Sequence, residues 1–362
     1  MREFTEIETL AEFDEHIAHT DSLRGWFLQS VDLTGRAAEL ARVDVAGAVF
    51  LGCRLDEQTE RDLPGRGALL FPQLPDVPFD PYRGTLYAAE ELYDQPRYAD
   101  SVDARVYAWS RAEGAVPPIP DTLATALHDH AISDALDELE LDPAKVVGVM
   151  GGHALKRNDP AYAAAARLGQ QLAEAGYVVL TGGGPGAMEA ANLGAWFAHR
   201  GDALTEAIAE LAVAPSFTPD IDAWAGTALA VRRRWPAETG VLSIGIPTWF
   251  YGHEPPNVFC THIAKYFANA LREDTLLQRC RGGIVYLPGA AGTVQEIFQA
   301  ATGNYYAADD TLVAPMVLVG REHWTVKLPA WSLLQALGEG REMGRRLHLV
   351  DAAGDVMATL IG

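Results

Sequence analysis

The chain has 362 residues, 49% hydrophobic and 21% charged, a balance that belongs to a folded globular protein and excludes disordered and fibrous classes. Its 28 Lys and Arg stand against 49 Asp and Glu for a formal charge of −21, so the overall field opposes nucleic acid and anionic membranes as partners, while local dipoles can still hold a small phosphate ester. Cys53, Cys260 and Cys280 show neither CxxC nor Cys/His spacing, which argues against a disulfide framework or a zinc site.

The N-terminal segment Met1-Arg-Glu-Phe-Thr-Glu6 is acidic and lacks an apolar stretch, and no apolar run approaches the length of a membrane helix. The expectation is a cytoplasmic protein without export or membrane insertion. Residues 1–115 read as a smaller, β-rich accessory domain, with short apolar runs such as Gly47-Ala-Val-Phe-Leu-Gly-Cys53 and Ala68-Leu-Leu-Phe71 between polar or Pro-rich turns. Trp26–Leu33 and Val43–Leu51 are loosely alike through Val31-Asp-Leu33 and Val43-Asp-Val45; coincidence is the simpler reading than two turns of a solenoid. Pro117, Pro118 and Pro120 precede a helical stretch over Thr122–Leu139, so residues 116–144 are expected to form a helical connector.

From residue 145 to 362, apolar runs alternate with segments of helical period, predicting a Rossmann-like, doubly wound parallel α/β sheet. Strands are expected at Val146–Met150, Tyr177–Leu180, Val241–Ile246, Gly283–Leu287 and Met316–Val319. Helices are expected at Pro160–Ala175, Gly186–His199, Asn257–Arg272, Gly292–Tyr305 and Leu328–Leu337. An insertion at 202–239 reads as a helical pair, Asp202–Val213 and Ile221–Arg234. A solvated helix end is the simpler explanation of Arg232-Arg-Arg234 at its close than a phosphate contact.

Two glycine-rich turns carry the chemistry. The first, Thr181-Gly-Gly-Gly-Pro-Gly-Ala-Met-Glu-Ala190, places Gly182, Gly183, Gly184 and Gly186 between a strand and a helix start. There, bare backbone and the helix dipole can hold an anion. The second, Pro288-Gly-Ala-Ala-Gly-Thr-Val-Gln-Glu296, follows another strand, and both turns should line one crevice at the carboxyl edge of the sheet. By spacing alone, Thr293 and Glu296 form a helix-capping box. A third loop, Ile246-Pro-Thr-Trp-Phe-Tyr-Gly-His-Glu-Pro-Pro-Asn257, offers Trp249, Phe250 or Tyr251 for stacking on a base and Asn257 for hydrogen bonding, although such aromatics more often pack a loop onto its domain. The first strand leads into Gly151-Gly-His-Ala-Leu-Lys-Arg-Asn158, where His153, Lys156 or Arg157 could reach a ligand.

These residues resemble the LONELY GUY-type proteins, long labelled lysine decarboxylase-like, and the related bacterial nucleotide 5′-monophosphate nucleosidases. The family pattern GGGxxGxM stands here as Gly182-Gly-Gly-Pro-Gly-Ala-Met188, and PGGxGTxxE as Gly289, Ala290, Gly292, Thr293 and Glu296 within Pro288–Glu296. The likeness covers roughly Val146 to Gly320. It implies hydrolysis of the N-glycosidic bond of a nucleoside 5′-monophosphate without metal or organic cofactor, in a homodimer or larger homo-oligomer. Glu296 would act at the ribose with Arg272 beside it; Gly151, Met188, Asn257 and the two turns would hold the substrate.

A carboxylate suits a sugar ring that develops positive charge, and a neighbouring arginine could keep it ionised or grip phosphate. The chain departs from the pattern at Ala290, where the family has glycine, and at Glu273 and Asp274, where the family usually has lysine after its arginine. The alternative is therefore a non-catalytic, nucleotide-binding regulatory protein. No lysine sits in a recognisable pyridoxal-phosphate context, so a decarboxylase finds no support.

Overall fold

The computed structural model describes residues 5–112, 117–250 and 254–361. The chain divides into two compact units: residues 1–86 with 111–138, and residues 87–110 with 139–362. This division differs from the boundary expected near residue 115. Segment 87–110 belongs to the larger unit, and the helix Ile119–Asp137 belongs to the smaller one.

In the smaller unit four short strands, β1 (Thr5–Ile7), β2 (Trp26–Gln29), β3 (Val49–Leu51) and β4 (Leu69–Phe71), pair in parallel in simple chain order. Helices Leu10–Ile17, Ala37–Arg42 and Glu57–Gly65 return the chain between them. The unit is a small solenoid, yet the likeness of Val31-Asp-Leu33 to Val43-Asp-Val45 is not its repeat. The true register places Asp44 beside Ser22 and Arg54 beside Asp32, not Val43-Asp-Val45 against Val31-Asp-Leu33. Gly25, Gly47 and Gly67 stand 22 and then 20 residues apart, all at positive φ (83°, 80° and 90°), where glycine carries little steric penalty. Their backbones stack: Gly25 N–H donates to Gly47 O, and Gly47 N–H to Gly67 O. Leu28 and Phe50, paired across β2 and β3, are fully buried with Leu23, Val31, Leu33 and Val45 in one core.

The larger unit holds seven parallel strands: β5 (Val146–Met150), β6 (Val178–Thr181), β7 (Ser243–Gly245), β8 (His262–Ile263), β9 (Gly283–Tyr286), β10 (Met316–Val319) and β11 (Leu347–Val350). Their order is β11-β10-β9-β5-β6-β7-β8, the Rossmann-like, doubly wound arrangement expected. Strands β5, β6, β9 and β10 are buried along almost their whole length, as parallel strands covered on both faces should be. Helix Pro160–Glu174 starts where the Asp159 side chain accepts from Ala161 N–H and proline occupies the first turn. It packs on Ala187–Trp196 so closely that a side chain on Gly169 or Gly194 would strike the other helix's backbone. That close fit explains why all ten residues of Ala187–Trp196 are buried and why the helix shows no polar face.

One expected helix is displaced. Only the last four residues of Asn257–Arg272 are helical; the helix runs Asn269–Arg279, and the edge strand β8 occupies part of the expected span. Thr261 N–H donates to Ser243 O and Ala264 N–H to Gly245 O, so pairing with the neighbouring strand overrides the apolar spacing that suggested a helix. Strand β11 had also escaped notice. The insertion forms helices Ala203–Leu211 and Ile221–Arg234.

Candidate functional site

The strand order reverses at the sheet centre: from β5 the chain builds outward through β6 to β8, then crosses to β9 on the other side. A crevice opens at such a reversal, beyond the carboxyl ends of the strands. The loop after β5 and the glycine turns after β6 and β9 are the segments that border it.

In the first turn Gly183 and Gly186 adopt φ of 68° and 75°, and a Cβ on Gly182 would lie 2.3 Å from Arg272 Nη2. The turn needs glycine both for its conformation and for the guanidinium packed against it. Met188, 8% exposed, lies against Gly182 and Gly184. Gly151 is closed in by Ala187 and Leu287.

Asn257 is committed to protein groups. It is fully buried; its Nδ2 donates to Gly184 O and Asn192 Oδ1, its Oδ1 accepts from Phe259 N–H, and its own N–H donates to Gly183 O. It braces the glycine turn from behind. Because N–H and C=O oppose each other in a trans peptide, holding Gly183 O turns the Gly184 N–H away from Asn257.

In the second turn Gly289 accommodates the Thr293 side chain, whose Oγ1 lies 2.1 Å from where a Cβ would be. Ala290 is exposed, with φ −121°, so no left-handed backbone demands glycine there. Gly292 has open space around it. The helix Ala291–Tyr305 takes no side-chain cap, so Thr293 and Glu296 do not form the capping box their spacing allows. Both are buried instead.

Glu296 and Arg272 do come together. Arg272 Nη1 lies 3.6 Å from Glu296 Oε1 and 2.7 Å from Glu273 Oε1. Its Nε donates to Ile246 O at 2.7 Å and its Nη2 to Gly182 O at 3.2 Å. Arg272 thus ties the ends of β6 and β7 to the helix Asn269–Arg279, and each of its nitrogens has a protein acceptor. The expectation that it keeps Glu296 ionised fails: burial pushes the Glu296 carboxyl up to about 8, outweighing the arginine, with Glu273 and Glu254 adding to the rise. Desolvation prevails because Arg272 sits closer to Glu273 than to Glu296.

Of the paired carboxylates after Arg272, only Glu273 is inside, at 2% exposure. Asp274 is exposed and accepts from Gln299 Nε2. At the rim, His153 Nδ1 lies 3.2 Å from Glu254 Oε1. Glu273 and Glu296 therefore flank one guanidinium, and Glu254 adds to the negative field at Glu296.

Arg157 is not solvated. It is 1% exposed, paired with Glu189 at 2.5 Å, bonded to Ala214 O and Trp224 O, and stacked 4.5 Å over the Trp224 ring. It fastens the insertion to the first glycine-turn helix. Lys156 is exposed. Arg232 is likewise committed, to Glu90, Val258 O and Cys260 O, and Arg234 pairs with Glu206 and Glu210.

Trp249 is core, 2% exposed, with its ring 4.7 Å from Phe267. Phe250 is 53% exposed; Tyr251 and His253 lie outside the described residues. The loop's anchor escaped sequence reasoning. Asp103 accepts from Trp249 Nε1, Lys265 Nζ and Tyr98 Oη, while Tyr93 Oη donates to Pro256 O. No local pattern could signal it, because Asp103 and Lys265 are 162 residues apart. Lys265 and His262, placed by spacing on a helix, sit instead in that anchor and on β8.

These features define a Rossmann-like protein with a glycine-lined crevice. Residues 144–203, which hold the first glycine turn but not the second, match the model described as the SLOG cluster4 family, in keeping with the LOG-like resemblance drawn from that turn. No curated protein matches the chain. Among solved structures, the chain is similar to the structural-genomics target TM1055, at 18% identity over 60% of this chain and 98% of that one, with a TM-score of 0.37. It is also similar to the molybdenum cofactor binding protein from the phototrophic bacterium Rippkaea orientalis, at 18% identity over 60% and 97%, with a TM-score of 0.35. Among the described residues, no helix is long and apolar enough to cross a membrane, and no cluster of His, Cys, Asp and Glu could hold a metal ion.

Proposed function

We propose that the crevice hydrolyses the N-glycosidic bond of a nucleoside 5′-monophosphate, releasing free base and ribose 5-phosphate. The observation that carries this reading is Glu296: a buried carboxyl beside Arg272, at the carboxyl edge of the sheet, with its pKa raised to about 8. A strongly perturbed acid in a ligand crevice points to acid–base work.

At neutral pH burial keeps Glu296 mostly protonated, so its first role is to give a proton to the departing base. The bond from C1′ to the base nitrogen breaks, positive charge spreads over the sugar ring, and the newly ionised carboxylate stabilises it together with Glu254 and Glu273. A water oxygen then bonds to C1′ and one of its protons returns to Glu296. The phosphate would lie at the helix starts behind the two glycine turns. Arg272, with each nitrogen engaged, holds the turns in place rather than gripping phosphate. The resemblance extends the reading to a homodimer, which light scattering on the purified protein tests.

One observation favours a second reading. The commitment of Arg272 to protein acceptors suits a site that binds nucleotide without turning it over. Incubation with a panel of nucleoside monophosphates, following free base by chromatography, separates the two. Base released by wild type but not by Glu296→Ala supports the hydrolase; binding without release supports the regulatory module.

A further inference from the structure

The glycine turns and Glu296 account for the phosphate and the scissile bond, and leave one buried carboxylate without a task. Glu273 is 2% exposed. Its Oε1 accepts from Arg272 Nη1 at 2.7 Å, while its Oε2 is buried with no hydrogen-bond partner among the described residues. Pairing with Arg272 explains one oxygen and not the other, and a buried acceptor left unmade is costly. The buried ion pair of Arg157 and Glu189 in this unit is, by contrast, fully used: Glu189 spends both oxygens on Arg157 and Tyr162.

Glu273 lies within electrostatic reach of Glu296, the group placed at the sugar. Arg272 directs Nε, Nη1 and Nη2 each at a protein oxygen, and none of these bonds reaches Glu273 Oε2. The unmet acceptor at Glu273 Oε2 therefore calls for a ligand group that donates. We propose that Glu273 Oε2 accepts a hydrogen bond from a vicinal sugar hydroxyl, making Glu273 the residue that selects ribose over 2′-deoxyribose. The inference rests on the reading that the ribose lies at Glu296. A hydroxyl is the donor that fits: it is neutral and cheap to desolvate, and its bond to a carboxylate is short and strong. The deoxy analogue leaves the acceptor unmade, and a site built around a hydroxyl discriminates sharply against a ligand that lacks it.

The test compares four ribonucleoside 5′-monophosphates with their 2′-deoxy counterparts, for base release (kcat/KM) and for binding by calorimetry. Wild type is expected to favour the ribonucleotide by about 100-fold or more. Glu273→Gln should narrow the ratio to within about tenfold, losing mainly on the ribonucleotide, and Asp274→Asn, altering an exposed neighbour, should leave it unchanged. Glu273→Asp keeps the charge beside Arg272 while withdrawing the oxygen. It should narrow the ratio too, and serves if the Gln variant does not fold. Equal handling of both sugars by wild type, or an unaltered ratio in a folded Glu273 variant, overturns the proposal. If nucleotides bind with a Glu273-dependent ribose preference but are not cleaved, the selectivity stands and the hydrolase reading falls. If no nucleotide binds, both fall.

Discussion

Both units of the chain are wired from strands that all run one way with helices returning between them, yet of the two sheets only the larger reverses its strand order. In the solenoid the four strands follow chain order without reversal, so each coil stacks on the last and every strand end meets a neighbour of the same kind. In the larger unit the order turns back at β5 and β9, and loops leaving in opposite directions leave a gap between them. Into that gap come two glycine turns, a buried arginine and three carboxylates. The lesson is that a chemical site here follows from one change of direction in the strand order.

The sharpest way to break that contrast is Glu296→Ala, which should lower turnover by roughly 10³-fold while leaving nucleotide binding in place; loss of binding as well would make Glu296 structural. Its isosteric counterpart, Glu296→Gln, tests the electrostatics. The folded carboxyl sits near 8 against an ordinary 4.5, so the neutral form costs nothing below about 4.5, and wild type loses stability as pH rises from there through 8. The melting temperature of the Gln variant relative to wild type should therefore climb between pH 5 and pH 8.5; a flat difference would show that the group ionises normally.

In the solenoid the largest effect should come from its core. Phe50→Ala should cost about 3–5 kcal/mol, read by hydrogen exchange over residues 26–71, with protection unchanged if the coils do not share one core. A smaller loss is expected at Gly182→Ala, where the added methyl meets Arg272 at 2.3 Å and should reduce kcat/KM by roughly 10–100-fold. Gly226→Ala, in the insertion helix Ile221–Arg234 with open space around it, should leave kcat/KM unchanged, and equal losses at the two would deny Arg272 its place. Smallest is Gly47→Ala, at φ 80°, which should cost about 1–2 kcal/mol in thermal unfolding. Gly35→Ala, with nothing near it and no positive φ, should be close to neutral.

How much of this was legible in the sequence depended on the range of the interaction. The five expected strands of the larger unit and both glycine turns declared themselves because each is a contiguous apolar run or a cluster of glycines. The pairing of Arg272 with Glu296 followed from the resemblance, since 24 residues and a strand separate them. Local spacing misled where a side chain could serve two ends. Thr293 and Glu296 suit a cap but are buried, Asn257 suits a base but braces a turn, and Arg157 looks solvated but is the most enclosed cation near the first turn. The solenoid was harder because its repeat lies in backbone conformation. Gly25, Gly47 and Gly67 share a left-handed φ, and at the next common position Ser30 stands against Gly52 with φ of 54° and 62°, so the letters differ where the shape does not. The Asp103 anchor was beyond reach, being assembled from residues with no pattern in common.

The stacked glycines of the solenoid also govern how that region can change. Each coil hands its backbone hydrogen bonds to the next through Gly25, Gly47 and Gly67, so one residue added within a coil puts a side chain on a left-handed backbone position and turns core residues outward. Gain or loss of a complete coil disturbs nothing but the ends. The natural quantum of variation in this unit is a stretch of about twenty residues, and its length is free to drift by tandem duplication while the sheet that carries the crevice, with its single reversal, is not.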